Sequence, residues 1–201
     1  MSSAENNDSE HKKEIKESTT INEEKQIPAK PEKEESNVPS FEKEFTDRIK
    51  NQFGDDIQVA YIKETRTRLD VKKEKILDVA EFIRDNTPFD HAESVTGTDF
   101  PDDKEIEVTY HLGSYTDNRY SKQIMALSTR VPREDEPDPG NDSTKLASLR
   151  DIFYSVEFHE RECFEMLGVY FEGHPDNRRL LLPEDWADIP PMRKDFKLKG
   201  R

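Results

Sequence analysis

The sequence predicts an α+β fold: a small two-layer domain with a mixed sheet and a few helices, a disordered N-terminal tail and an extended C-terminal arm. Three observations predict it. Segments with helical and with strand periodicity alternate irregularly between residues 41 and 171, the pattern of helices packed on one sheet. Residues 1–40 carry 10 Asp/Glu and 6 Lys/Arg with no aromatic residue, too little apolar surface to offset the entropy of ordering the chain. Residues 172–201 hold four prolines, the only tryptophan and three consecutive leucines without a regular period. The domain boundaries read from these shifts are 1–40, 41–171 and 172–201.

Composition narrows the class. With 201 residues, 38% of them charged and 31% hydrophobic, and a mean hydropathy of −1.04, the chain has apolar material for one modest core. No run approaches the roughly 18 apolar residues of a membrane helix, and the first thirty residues lack the apolar stretch of a signal peptide. A soluble, unexported chain in the cytoplasm is expected. The single cysteine cannot form an internal disulfide, and a formal net charge of −14 argues against a general nucleic-acid binder.

The elements follow in order. "FEKEFTDRIKNQFG" repeats Phe41, Phe45, Ile49 and Phe53 every four residues, an amphipathic helix. "IQVAYIKETRTRLDV" is β-branched and alternating, which predicts one or two strands. "KKEKILDVAEFIRDNT" places Ile76, Val79, Ala80 and Ile83 on one helical face. Three strands are expected from "AESVTGTDF", "KEIEVTYHLGSY" and "KQIMALSTRVP"; in the second, Ile106, Val108 and Tyr110 alternate with Glu105, Glu107 and Thr109. "PREDEPDPGND" is a loop. Ser143 to Leu167 favours helix, interrupted near Tyr154 and Ser155.

The chemistry-bearing residues concentrate in "HERECFEMLGVYFEGHP", residues 159–175. A helical step of about 100° per residue puts Val156, Glu160, Cys163, Phe164 and Leu167 on one apolar arc with Glu160 at its middle. A carboxylate there needs a cation or several hydrogen-bond donors, since leaving it unpaired costs several kcal/mol; Arg178, Arg179, Arg193 and Lys194 are the available cations. Arg161 is expected to project outward between Glu157 and Glu165, where ion pairs contribute a few tenths of a kcal/mol. His159, Glu160 and Cys163 imitate a helical metal-binding spacing, with His174 as a third ligand. Against that reading, only one i, i+4 ligand pair is visible and Cys163 lies among apolar neighbours, where burial raises a thiol pKa. The sequence shows no phosphate loop, paired cysteines or nucleophile elbow. Extended backbone with large anchors, as in residues 172–201, seeks another surface, either a partner or a groove on its own domain. Residues 190–201 also make a basic arm, with five Lys/Arg against one Asp.

"ERECFEMLGVYFEGHPDNRRLLLPEDW", residues 160–186, followed by "PPMRKDF", resembles the signature of the 30-kilodalton subunit of complex I, the respiratory NADH:quinone oxidoreductase. Related subunits occur in F420 dehydrogenases and membrane-bound hydrogenases. The resemblance is close over 159–196, extends to 41–158 only in the order of elements, and leaves out 1–40. It implies a component of a proton-translocating complex that binds no cofactor of its own, in an assembly using iron-sulfur clusters and quinone. It implies as partners a large 49-kilodalton-type subunit and a small iron-sulfur subunit, at the cytoplasmic face of a prokaryotic membrane, peripherally held. Carried over by position, the matching residues are Glu160, Arg161, Glu162, Gly168, Gly173, His174, Pro175, Arg178, Arg179, Pro183, Trp186, Arg193, Lys194 and Asp195, with assembly as their implied role and none of them catalytic. Phe158, Glu165 and Asn177 depart from the residues usual in the family, as does part of "WADIPPMRKDF". The electron donor, whether NADH, F420 or another, stays open.

Overall fold

The computed structural model describes residues 40–134, 144–183, 185–186 and 189–198. The reading of residues 1–40 as a tail lies, but for Ser40, outside these, as do most of the proline-rich loop and the last three residues. Among the described residues ten regular elements follow one another: α1 (Ser40–Phe53), β1 (Ile57–Lys63), β2 (Arg66–Val71), α2 (Ile76–Asn86), β3 (His91–Phe100), β4 (Glu105–Gly113), β5 (Ile124–Pro132), β6 (Lys145–Ala147), α3 (Glu157–Leu167) and β7 (Tyr170–Glu172). Short 3-10 turns precede β1, α2 and α3. The α+β expectation and all the elements expected before the proline-rich loop hold.

Five strands form one mixed sheet in the order β1-β2-β5-β4-β3. Only the central β2–β5 pairing is parallel; the rest are antiparallel. Alternation sorts the side chains. Leu69 opposes Leu127, and Tyr110 also opposes Leu127 from the other side, so these residues share one face. Together with Ile106, Val108, Leu112, Met125 and Val131 they are buried against the apolar faces of the helices. The other face carries Arg68, Asp70, Glu107 and Arg130, linked by contacts of 2.7 Å from Arg68 to Glu107 and 3.4 Å from Arg130 to Glu107. The fold is thus two-layered, with the period of two in each strand separating core from charge.

The expected helix over 143–167 does not form as such. Within its described part, Lys145–Ala147 is a strand that pairs in parallel with Tyr170–Glu172, and the helix is confined to Glu157–Leu167. Burial of Leu146 beside Phe171 overrides the helical propensity of the segment. The end of β6 also places Ser148 and Leu149 where they meet Glu160 of α3. Gly168 ends the helix at φ 81°, its N–H bonding the Phe164 carbonyl at 2.9 Å, a left-handed cap that glycine adopts without strain.

Candidate functional site

α3 lies on β3 where the strand lacks a side chain. A Cβ on Gly97 would stand 2.0 Å from Leu167 Cδ1 and 3.8 Å from Cys163 Sγ, so the glycine allows close helix–strand approach. The predicted apolar arc is correct: Val156, Glu160, Cys163, Phe164 and Leu167 are all buried. Glu160, at 0% exposure, meets no arginine or lysine among the described residues. Its Oε1 accepts from the Tyr110 hydroxyl and the Leu149 N–H, both at 2.9 Å, and its Oε2 accepts from the Ser148 hydroxyl at 2.5 Å. Several donors rather than a cation satisfy it. Burial pushes its pKa above the ordinary carboxylate value, opposed by the Ser148, Leu149 and Tyr110 hydrogen bonds and by His174. The Tyr110 phenol, fully buried beside this carboxylate, is held well above its usual range.

His174 stands next to this cluster, its Nε2 4.0 Å from Glu160 Oε2. The ring Nδ1 is 3.0 Å from the backbone nitrogen of Asp176, which can only donate. The ring proton therefore sits on Nε2, which donates to the Glu157 carbonyl at 3.0 Å. Gly173, at φ 84°, makes the turn that presents this ring.

The outward face of α3 is covered by the chain's own C-terminal segment, and this corrects the expected role of Arg161. Its guanidinium does not pair with Glu157 or Glu165. It donates to the carbonyls of Arg178 at 3.0 Å and Arg179 at 2.9 Å, and approaches Asp176 at 3.4 Å. One turn further, the carboxylate of Glu165 accepts from three successive backbone amides, Leu180, Leu181 and Leu182, at 2.9 to 3.0 Å. Arg161 and Glu165 thus grip the carbonyls and then the amides of one extended strap. A helix considered alone leaves Glu165 in water; the strap buries it to 5% exposure. Asp176 is held below the usual carboxylate range by the Arg178 side chain and backbone and by Arg161.

A second fastening lies near the C-terminus. Arg193, 2% exposed, donates from Nε to the Leu167 carbonyl at 2.7 Å and from Nη1 to the Glu134 carbonyl. The Met192 N–H reaches the Met166 carbonyl at 3.0 Å, and the Lys194 N–H reaches Asp99 Oδ2 at 2.9 Å. Asp99 also accepts from Arg133 at 2.7 Å, and Arg133 contacts Asp195 at 2.8 Å. The Arg193-Lys194-Asp195 run therefore ties the strap to α3, β3 and the end of β5. Between the fastenings, Trp186 is half-buried, donates from Nε1 to the Ile189 carbonyl at 3.3 Å and lies 6.1 Å from the Phe196 ring.

The signature residues separate into two groups. Glu160, Arg161, Gly168, Gly173, His174, Arg193 and Asp195 act within the chain as described. Glu162, Pro175, Pro183 and the side chain of Lys194 are exposed; Arg178 pairs with Asp176 at 2.9 Å, and Arg179 donates to the Pro183 carbonyl at 3.1 Å. Large apolar side chains nevertheless remain in water around the strap: Phe158 and Met192 at 58% and Leu181 at 61%. His159, Cys163 and His174 do not converge, and among the described residues no three His, Cys, Asp or Glu side chains form a metal-holding group. The Cys163 thiol is pushed up to about 12 by burial and by Glu162 and Glu160. Sequence reasoning missed Tyr110, Ser148, Asp99 and Arg133. Their partners are 12 to 95 residues distant, so no local pattern marks them. Glu165 sat in view as an i+4 neighbour of Arg161.

Residues 69–201 match the family described as respiratory-chain NADH dehydrogenase, 30 Kd subunit. An F(420)H(2) dehydrogenase subunit of Methanosarcina mazei is 33% identical over 132 residues, covering 66% of this chain and 76% of that one. An NADH-quinone oxidoreductase subunit of Mycolicibacterium gilvum is 32% identical over 166 residues, 78% of this chain and 68% of its own. Its counterpart from Chlorobium phaeobacteroides is 30% identical over 156 residues, 76% and 87%. Among solved structures, a chain of the membrane-bound sulfane sulfur reductase, an archaeal respiratory membrane complex, superposes with a TM-score of 0.65 at 25% identity, covering 78% of this chain and 85% of that one. A trypsin-resistant fragment of Nqo5 shares the fold, with a TM-score of 0.52 at 19% identity over 67% of this chain and 97% of the fragment.

Proposed function

The chain belongs to the 30 Kd subunit family of the respiratory-chain NADH dehydrogenase, and from that premise we propose that it is a peripheral scaffold subunit of a proton-translocating NADH:quinone oxidoreductase, without a catalytic centre of its own. The observation that carries this reading is the use made of the signature. Its charged residues hold a strap against the chain's own domain, while Phe158, Leu181 and Met192 are left as exposed apolar anchors around it. Buried aromatic and aliphatic anchors on a rigid support contribute most to a protein interface. The proposed partners are the large 49-kilodalton-type subunit and the small iron-sulfur subunit. The iron-sulfur clusters and the quinone belong to those neighbours, since one cysteine, buried and held as a thiol, does not fit a cluster's ligand set.

No helix of the described residues is long and apolar enough to cross a membrane, and attachment through the complex at its cytoplasmic face is part of the proposal. The Methanosarcina mazei relative supports a second reading, the equivalent subunit of an F420-linked dehydrogenase. The experiment is affinity purification of the tagged full chain from gently solubilised membranes of its own cells. The proposal expects a multi-subunit complex that reduces quinone with NADH; oxidation of reduced F420 instead would select the second reading. Recovery of the chain alone from the soluble fraction would overturn both.

A further inference from the structure

The imidazole of His174 is packed in a way that only one protonation state satisfies. Its side chain is 0% exposed, as is that of Glu160. The Nε2 proton is used by the Glu157 carbonyl at 3.0 Å, and Nδ1 is used by the Asp176 N–H at 3.0 Å. A proton added at Nδ1 would point at that N–H, and one of the two donors must then move away. The imidazolium would at the same time gain a buried carboxylate 4.0 Å from Nε2. Two arrangements of the same residues therefore compete, one closed by the Asp176 N–H and one opened at Asp176 and stabilised by Glu160.

The groups that face the ring set what happens next. From α3 these are Glu157, whose side chain pairs with Arg150 at 3.3 Å, and Glu160. From β4 comes Tyr110, through Glu160. From the strap comes Asp176, whose carboxylate contacts Arg161 at 3.4 Å and Arg178 at 2.9 Å. Asp176 thus stands directly between His174 and the guanidinium that grips the strap carbonyls. We propose that His174 is a proton-operated latch: in its neutral form it closes the turn at Asp176 and keeps the strap gripped by Arg161 and Glu165, and on protonation it opens that turn and loosens the strap.

The latch follows from the packing alone and does not depend on the proposed function. It is tested on the isolated full chain by lowering the pH from the alkaline side until the chain unfolds, and a ring still neutral at that point would overturn the latch. Nitrogen-15 NMR of the ring reports the tautomer and its protonation, and amide hydrogen exchange reports the strap. The expected result is an Nε2-protonated neutral ring at the alkaline end. As the ring takes up its second proton, the protection of the Asp176 and Leu180–Leu182 amides should fall about fivefold, the change in population expected on losing one hydrogen bond. Protection of core amides such as Leu127 should stay constant. His174→Asn retains an acceptor near Nδ1 but takes no proton, so its strap protection should not vary with pH. Observation of the Nδ1-protonated tautomer in the wild-type chain would overturn the latch. So would strap protection that stays flat while the ring titrates, or a pH dependence that persists in a folded His174→Asn.

Discussion

Replacing Glu160 by alanine should cost much of the chain's folding free energy, and replacing it by glutamine should cost far less. Alanine leaves the Tyr110 hydroxyl, the Ser148 hydroxyl and the Leu149 N–H facing a void, all three having been within 2.9 Å of the carboxylate. A buried donor without a partner costs about 1–3 kcal/mol. Partial collapse of the void leaves an expected loss of about 3–5 kcal/mol, against a typical total of about 5–15 kcal/mol. Glutamine with its carbonyl at the Oε1 position keeps the Tyr110 and Leu149 bonds, and its amide can donate to the Ser148 oxygen, so a loss of about 1–2 kcal/mol is expected. The pH dependence has a defined sign. Because burial raises the folded-state pKa of Glu160 above the ordinary 4.5, the folded chain takes up the proton first as pH falls. The stability this provides is complete below the unfolded value of 4.5 and is lost as pH rises through the raised folded value. Wild type should therefore lose ground to Glu160→Gln as pH is raised from 4.5 toward neutrality. Urea denaturation followed by circular dichroism measures all three proteins. Equal losses for alanine and glutamine would refute the argument from donors, and a difference from Glu160→Gln that moves in wild type's favour with rising pH would refute the linkage.

Glu165→Ala removes the acceptor of three strap amides and should free the strap while leaving the sheet folded. Trp186 fluorescence and protease cleavage near Leu181 should change before the dichroism midpoint does, and a coincident transition would contradict this. Asp99→Asn breaks a pair in which Arg133 is 4% and Asp99 1% exposed, and one-sided loss of a buried ion pair costs about 3–5 kcal/mol; a chain as stable as wild type in urea would contradict the assigned role. Gly97→Ala must displace the end of the Leu167 side chain, an overpacking cost of about 1–3 kcal/mol, measured by thermal melting.

The sheet domain was legible because alternation is a local property. Ile106, Val108 and Tyr110 against Glu105, Glu107 and Thr109 place β4 and its core face without reference to any other strand. The buried arc of α3, Glu160 included, was legible for the same reason at a period of 3.6. What failed was whatever depended on a distant segment. Residues 145–147 form a strand only because Phe171 lies opposite Leu146, and Arg161 and Glu165 turn away from each other only because residues 178–182 cross between them and solvent. The choice between a partner and the chain's own surface as the resting place of residues 172–198 was likewise not local. The described residues of the strap lie on their own domain, and the anchors they leave exposed are what a partner could still meet.

We propose that this signature supports assembly rather than chemistry. The most direct measurement is complex formation by Leu181→Asp, a change at an exposed side chain whose backbone amide is held by Glu165 at 2.9 Å. The variant is expressed in place of the wild-type chain, and both the amount of complex recovered and its quinone reduction per assembled complex are determined. A large fall in the amount assembled is expected, with turnover per assembled complex unchanged. Normal assembly accompanied by lost turnover would contradict it and would place the strap in the reaction itself.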